Sequence, residues 1–392
     1  MYGDLDLVIL CGGRGSRLKN YTKNTPKSLI KVSNISILEK IINFYQKFDF
    51  KTIYLLAGYK GEMIKKKFDN KFFNFIKCKV IVEKKEMGTG GSISVLKKKV
   101  NSNFLVVNGD SYIDYDFLKF VKIIKKNFFA KMLITKNNNY KSNKKLSNLS
   151  LRKNKIYSSQ SSNYMNAGIY LFNKKIFELI KPNYQSLEED ILPYLIERKL
   201  VYGEKFNGEF IDVGTYKNLK YSRNQFFKKK NTAVFLDRDG VINYDLGYVV
   251  KFKKFKWTKN IFSTLRYINK KKNYLFIITN QSGIARKYYT VDEFFDLHIK
   301  IKKFLLKKKI FIDEVFFCPH HPNYGSKKFK KKCRCRKPGN LLLEKAIFKW
   351  DIDRNKSLMV GDKISDFKCA EKSKLKFLYK SENFLEQMKN SI

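Results

Sequence analysis

Twice in this chain an apolar, β-rich run stops abruptly in a loop carrying glycine or aspartate. Residues 7–10 lead into Cys11-Gly12-Gly13-Arg14-Gly15-Ser16-Arg17-Leu18, and residues 233–236 lead into Asp237-Arg238-Asp239-Gly240-Val241-Ile242-Asn243. Strands that end this way belong to parallel sheets, whose carboxyl ends carry the ligand-binding loops. The surrounding rhythm agrees. Strand-like runs at 5–10, 52–56, 80–82 and 104–107 alternate with amphipathic stretches, and runs at 233–236, 274–278, 314–317 and 357–360 repeat the pattern. This alternation predicts an α/β fold twice over. At 392 residues the chain exceeds one ordinary core, so two domains are expected. The basic stretch Lys228-Lys229-Lys230, just before the second series of strands, places them at 1–228 and 229–392. There is no tandem repeat, and polar residues 137–163 read as a mobile excursion.

A formal charge of +47 points to nucleic acid or an anionic membrane when the cations cluster. Here lysines recur in nearly every segment, mostly where a helix shows its solvated face, so no specific nucleic-acid partner is expected. Met1-Tyr2-Gly3-Asp4 lacks the basic start of a signal peptide. No apolar run is long enough to span a bilayer, so no membrane partner is expected either. Cys11, Cys78 and Cys369 lie far apart, whereas Cys318, Cys333 and Cys335 gather near His320. That is metal spacing in a reducing compartment, hence a cytoplasmic chain, and not a disulfide framework.

In the first half, Gly12, Gly13 and Gly15 let backbone N–H groups approach a phosphate chain, and Arg17 and Lys27 supply cations for phosphoryl transfer. A glycine loop alone is often a ligand-free turn. Further signals follow in order: the loop Gly88-Thr89-Gly90-Gly91, then Asp110 at a strand end, then Asp212 beside Gly214. Two separated carboxylates converging on Mg²⁺ suit a triphosphate substrate.

These motifs resemble the sugar-1-phosphate nucleotidyltransferase family, over residues 5–224, with heptose and mannose 1-phosphate guanylyltransferases as the nearest type. The resemblance implies a Rossmann-like domain in which Arg17 stabilises the departing pyrophosphate and Lys27 the phosphoryl group under attack. It implies Mg²⁺ on Asp110 and Asp212, nucleotide contacts from the glycine loops, and sugar contacts from Asn166, Gly168 and Glu188. GTP is the expected nucleoside triphosphate and a sugar 1-phosphate the acceptor.

In the second half, Asp237 and Asp239 can divide labour as covalent nucleophile and proton shuttle. Thr279-Asn280-Gln281 follows the next strand with phosphate donors, Arg336-Lys337 adds cations, and Gly361-Asp362 ends a later strand with Asp366 four residues on. Cys318, His320, Cys333 and Cys335 make a closed thiolate–imidazole set for structural Zn²⁺, with His321 as a spare neighbour. This set resembles the haloacid dehalogenase superfamily, and more closely its heptose 1,7-bisphosphate phosphatases, over residues 232–380. The resemblance implies an α/β domain with a zinc loop and no large cap. It implies Mg²⁺ bound by Asp237, Asp239 and Asp362, phosphoryl stabilisation by Thr279 and Lys337, and substrate contacts from Asn280, Arg336, Lys363, Asp245 and Tyr248. The same zinc loop occurs in histidinol phosphatases of that superfamily.

The two resemblances join as consecutive steps. Removing the C7 phosphate of a heptose 1,7-bisphosphate leaves the heptose 1-phosphate that the first domain would activate. Two other readings stay open on the sequence alone: a hexose-1-phosphate transferase fused to a histidinol-phosphate-type phosphatase, and a basic nucleic-acid binder with degenerate sites. The oligomeric state is not legible.

Overall fold

The computed structural model describes residues 4–122, 128–136, 147–159 and 161–392. The chain separates into two compact units. One comprises Met1–Phe44 and Phe50–Lys228, the other Tyr45–Asp49 and Lys229–Ile392. No helix among the described residues is long and apolar enough to cross a membrane.

In the first unit the strand Asp6–Leu10, almost wholly buried, lies parallel to Thr52–Ala57 on one side and Phe104–Asn108 on the other. Ile76–Val82 continues the parallel array beyond Thr52–Ala57. It buries Ile76, Cys78 and Val80 and exposes Lys77 and Lys79, the period-2 signature of a strand with one solvated face.

Past Phe104–Asn108 the sheet is mixed, not parallel throughout as the rhythm predicts. Tyr164–Phe172 runs antiparallel both to Phe104–Asn108 and to Ala130–Lys136, and Val201–Phe206 pairs parallel with the latter. A fully buried strand reads as a continuous apolar run whichever way it points, so its direction leaves no local trace. Of the excursion expected at 137–163, residues 137–146 and 160 lie outside the described residues. The remainder includes a hairpin of Ser147–Arg152 with Lys155–Ser158 at the sheet edge, which buries Leu149 and Ile156.

The reversed strand is also broken. Its register shifts between Asn166 and Tyr170, and Gly168 between them has φ +73°. A Cβ at Gly168 would lie 2.5 Å from Asn108 Nδ2, so the bulge needs both the positive φ and the missing side chain. Beneath it Phe104 packs against Phe172 and Phe177 with centroids 5.9 and 5.5 Å apart.

The second unit holds five parallel strands in the order Glu314–Cys318, Tyr274–Asn280, Ala233–Leu236, Leu358–Gly361, Lys376–Tyr379. The chain winds outward from Ala233–Leu236 in one direction and then resumes on its other side. This reversal opens a crevice at the carboxyl ends of Ala233–Leu236 and Leu358–Gly361. The helix Val291–Lys307 begins with a capping box, Thr290 and Glu293 each bonding the other's backbone N–H, which holds down one covering layer.

Gly168→Ala is expected to lower the stability of the first unit by about 1–3 kcal/mol, the cost of forcing a side chain into this backbone region. Chemical denaturation read by fluorescence would check it.

Candidate active sites

The carboxyl edge of the first sheet is tied together by backbone hydrogen bonds: Cys11 N–H donates to Leu56 O at 2.7 Å and Gly109 N–H to Leu10 O at 2.9 Å. Between these loops lies a cleft of about 210 Å³ lined by Gly13, Gly15, Arg17, Lys27, Asp110 and Gly214. Gly12 lies in the same loop between Cys11 and Gly13, which both line the cleft. Asp110 and Asp212, far apart in sequence, meet because Phe210–Asp212 pairs antiparallel with Ser111–Ile113, bringing Asp212 opposite Ser111. Lys27 ion-pairs with Asp110 and reaches Asp212 Oδ1 at 3.9 Å. Both carboxylates therefore face one cationic point, the donor chemistry a hard divalent ion requires. Arg17 stands exposed at the rim.

Beside the cleft a second polar group forms. Glu188 accepts from Thr89 Oγ1 at 2.6 Å and from Tyr170 OH at 3.2 Å. Asn166 Nδ2 donates to the same Tyr170 oxygen, and Asn166 Oδ1 accepts from Gly168 N–H at 2.9 Å. Tyr170 is fully buried, and burial, reinforced by Glu188, holds its phenol far above the ordinary tyrosine range. Sequence reasoning missed Tyr170, which looks like core in an apolar strand.

Gly88 and Gly90, expected to border the nucleotide, lie against the backbone at Gln185. Gly90 and Gly91 donate their N–H groups to Gln185 O at 2.7 and 3.0 Å, and a Cβ on Gly88 would lie 2.6 Å from that oxygen. These glycines admit the backbone before Glu188, while Thr89 carries the polar contact. Glu83 was also missed. It follows the strand Ile76–Val82 and sits 3.4 Å from where a Cβ on Gly12 would be. Burial raises its carboxyl, the Met87 N–H pulls it down, and Glu86 raises it further.

In the second unit Asp237 leaves the central strand and is almost fully buried. Lys337 Nζ lies 2.8 Å from Asp237 and 2.6 Å from Asp366, and donates to Ile278 O at 3.0 Å. Burial pushes the Asp237 carboxyl up to about 7 against the pull of Lys337, and Asp366 adds to the rise. Burial alone would lower the Lys337 ammonium; Asp237 and Asp366 outweigh it and hold the group above its ordinary value. Asp362 is raised by burial, with Lys363 opposing and Asp366 adding. Carboxylate oxygens of Asp237, Asp362 and Asp366 lie within 4.8 Å of one another. Three carboxylates gathered this closely offer the oxygen donors a divalent cation takes.

Asp239 lies beside this cluster, but its side chain faces Arg238, Asn243 and Gln281. Thr279 Oγ1 accepts from the same Gln281 amide at 2.8 Å. Asn280 clamps the Lys337 backbone, accepting from its N–H at 3.0 Å and donating to its carbonyl at 3.2 Å. Arg336 reaches the His320 carbonyl at 3.5 Å. Farther out, Lys363 Nζ pairs with Asp245 at 2.7 Å, and this hydrogen bond lowers the Asp245 carboxyl. Tyr248 is exposed and packs edge-on against Tyr288 at 4.6 Å.

The remaining cluster joins Cys318, His320, Cys333 and Cys335. Cys335 Sγ lies 3.2 Å from both other sulfurs and from His320 Nδ1, and Cys318 Sγ lies 3.6 Å from Cys333 Sγ and His320 Nδ1. A tetrahedral ion with ~2.3 Å metal–sulfur bonds needs ligand edges of about 3.7 Å, so the four atoms fit a single ion with slight expansion. His321 turns away, its Nε2 3.2 Å from Arg286.

Residues 7–146 and 151–230, more than half of the chain, match the nucleotidyl transferase family, and residues 334–382 match the HAD-hydrolase-like family. Over 146 residues the chain is 40% identical to the D-glycero-beta-D-manno-heptose-1,7-bisphosphate 7-phosphatase of Haemophilus influenzae, spanning 37% of this chain and 79% of that protein. Over 167 residues it is 39% identical to the D-glycero-alpha-D-manno-heptose-1,7-bisphosphate 7-phosphatase of Campylobacter jejuni, spanning 41% and 92%. Among solved structures, that of HddC from Yersinia pseudotuberculosis complexed with GMP-PN is 26% identical, with a TM-score of 0.47, covering 58% of this chain and 100% of that one.

Lys337→Met would leave Asp237 and Asp366 facing each other out of water. It is expected to destabilise the second unit by about 3–5 kcal/mol, measured as a shift of its denaturation midpoint.

Proposed function

The chain belongs to the nucleotidyl transferase family in its first domain and to the family of the heptose-1,7-bisphosphate 7-phosphatases in its second, and on that premise we propose that it performs two consecutive steps of heptose activation. The second site removes the C7 phosphate of D-glycero-D-manno-heptose 1,7-bisphosphate. The first joins the resulting heptose 1-phosphate to a nucleotide. The observation that carries this reading is that both reaction centres occur in one chain, and the product of one is the acceptor the other requires.

At the second site an Asp237 oxygen attacks the C7 phosphorus and the sugar oxygen leaves with a proton from Asp239. Water then attacks the aspartyl-phosphate, giving its proton to Asp239 and freeing Asp237 and phosphate. Lys337 and Thr279 steady the transferring group, and Arg336, Asn280, Lys363, Asp245 and Tyr248 ring its approach. Mg²⁺, which the carboxylates of Asp237, Asp362 and Asp366 suit, would neutralise phosphate charge there. At the first site a phosphate oxygen of the heptose 1-phosphate attacks the α-phosphorus in line, and the bond to the β-phosphate bridging oxygen breaks. Arg17 and Lys27 balance charge on the pyrophosphate and the α-phosphoryl group, with Asp110 and Asp212 as the Mg²⁺ ligands. Asn166, Gly168 and Glu188, held by Thr89 and Tyr170, orient the sugar, and Gly12, Gly13 and Gly15 border the nucleotide phosphates.

GTP is the proposed donor and the α anomer the proposed sugar. The guanylyltransferase resemblance supports both, while the two phosphatase relatives carry opposite anomers in their names. Glu83 adds support for guanine: a carboxylate beside the glycine loop accepts from the N–H and NH₂ groups that only guanine presents together. The Cys318, His320, Cys333, Cys335 set is assigned to structural Zn²⁺, which holds the segment carrying Arg336 and Lys337 in the site.

The purified protein, given Mg²⁺, each bisphosphate anomer and each of GTP, ATP, CTP, UTP and dTTP, is expected to release phosphate, and with GTP also pyrophosphate and a nucleotide heptose. Phosphate without any nucleotide sugar would remove the transferase half of this reading, and no phosphate would remove the heptose assignment. Glu83→Gln should cut kcat/KM for GTP by about 10-fold or more, the worth of one bidentate base contact. Stripping the zinc should lower phosphatase turnover by at least ~10-fold and leave pyrophosphate release intact; zinc content per chain and both assays report this together.

A further inference from the structure

Among the described residues Arg238 heads the fully buried large side chains, although it stands between the two aspartates assigned to chemistry. Its guanidinium folds back onto its neighbour: Nη2 donates to Asp239 Oδ2 at 2.9 Å and Oδ1 at 3.0 Å, and Nε lies 3.2 and 3.3 Å from the same oxygens. The far side of the fork is also anchored. Nη2 reaches Val249 O at 3.2 Å, and Nη1 lies 3.4 Å from Nε2 of the buried His298, on the helix that begins at the Thr290 capping box. Two more amides complete the set. Asn243 Nδ2 donates to Asp239 Oδ1 at 3.0 Å, and Gln281 Nε2 donates to Oδ2 at 3.1 Å. The Gln281 amide is itself fixed by Tyr289 OH, which donates to its oxygen at 2.7 Å.

Each hydrogen-bond partner described for the Asp239 side chain is thus an N–H donor, and both carboxylate oxygens are engaged as acceptors. A planar guanidinium anchored at three corners holds a carboxylate in one orientation better than a point charge can. We propose that Arg238 is a positioning residue which, backed by His298, holds Asp239 as the acceptor for the water that hydrolyses the aspartyl-phosphate. In that step the water oxygen bonds to phosphorus, its proton passes to Asp239, and the bond from phosphorus to the Asp237 oxygen breaks. The first step begins with Asp239 protonated, and the fork holds it as a carboxylate only once that proton has left, so orientation by Arg238 bears on the second step. The inference rests on the phosphatase reading above and deepens it by dividing the two half-reactions.

The test separates them kinetically. For a two-step phosphatase kcat/KM reports phosphorylation of Asp237, whereas kcat reports hydrolysis once that step limits. With the heptose bisphosphate as substrate, Arg238→Met is expected to lower kcat by about 10-fold or more while kcat/KM stays within about 2-fold. Rapid quench should show an undiminished first-turnover burst and phosphorylated Asp237 accumulating. Arg238→Lys, which keeps the charge and loses the fork, should show the same split to a smaller degree, and it becomes the deciding variant if Arg238→Met does not fold. Proportional loss of kcat and kcat/KM, or no loss of kcat, would overturn the inference. Asp239→Asn is the control for the reading beneath it: loss of both parameters supports Asp239 as the proton shuttle, and full activity would remove that role, and the inference with it.

Discussion

Lys337 is taken out of water between Asp237 and Asp366, and the second domain is arranged around the consequences of that burial. An ammonium in such a place needs carboxylates, and carboxylates packed this close need an ammonium, so each is unstable without the others. The arrangement tolerates no slack in the loop that delivers Lys337. Asn280 therefore holds the lysine's own peptide from both sides, and the cysteine–histidine cluster anchors the chain immediately before it. Asp366 enters from the opposite wall, within the first turn of the helix Ile364–Lys372, where its second oxygen also accepts the Lys363 N–H at 3.1 Å.

The first domain meets a related electrostatic demand with less burial. Its cation, Lys27, also stands between two aspartates, but Lys27 and Asp110 border an open cleft, and the meeting of the two aspartates depends on a short antiparallel pairing instead of a sheet interior. A site proposed to admit a triphosphate and a sugar together cannot be closed as tightly as one proposed to take a single phosphate group. Asn166 and Glu188 are instead braced laterally, through the chain of contacts from Asn166 to Tyr170 to Glu188 to Thr89.

Much of this was readable in the residues. Glycine and aspartate at the ends of apolar runs announced where the sheets would present their loops, and the spacing of Cys318, His320, Cys333 and Cys335 announced that these four side chains would gather, because short-range patterns of rare residue types survive in one dimension. What stayed hidden depended on direction and on neighbours from elsewhere in the chain. The reversal of Tyr164–Phe172 alters no residue type, Tyr170 is one more aromatic in a core strand, and Arg238 reads as a surface cation until His298 is folded against it. Gly88 and Gly90 illustrate the opposite case: their motif was visible, yet their immediate neighbour is the backbone at Gln185, a partner no local pattern reveals.

The reversed strand has a further consequence. Because Tyr164–Phe172 runs against Phe104–Asn108, it is the beginning of that strand, not its end, that reaches the functional edge of the sheet. The groups proposed to meet the sugar thus come from residues 164–188, a stretch separate from the loops at 11–27 proposed to border the nucleotide. On that proposal, acceptor choice and donor choice are written in different parts of the chain and joined only by folding. Such an architecture can change which sugar it accepts through drift in one stretch while the other continues to hold the same nucleotide, so new specificities can be reached one partner at a time.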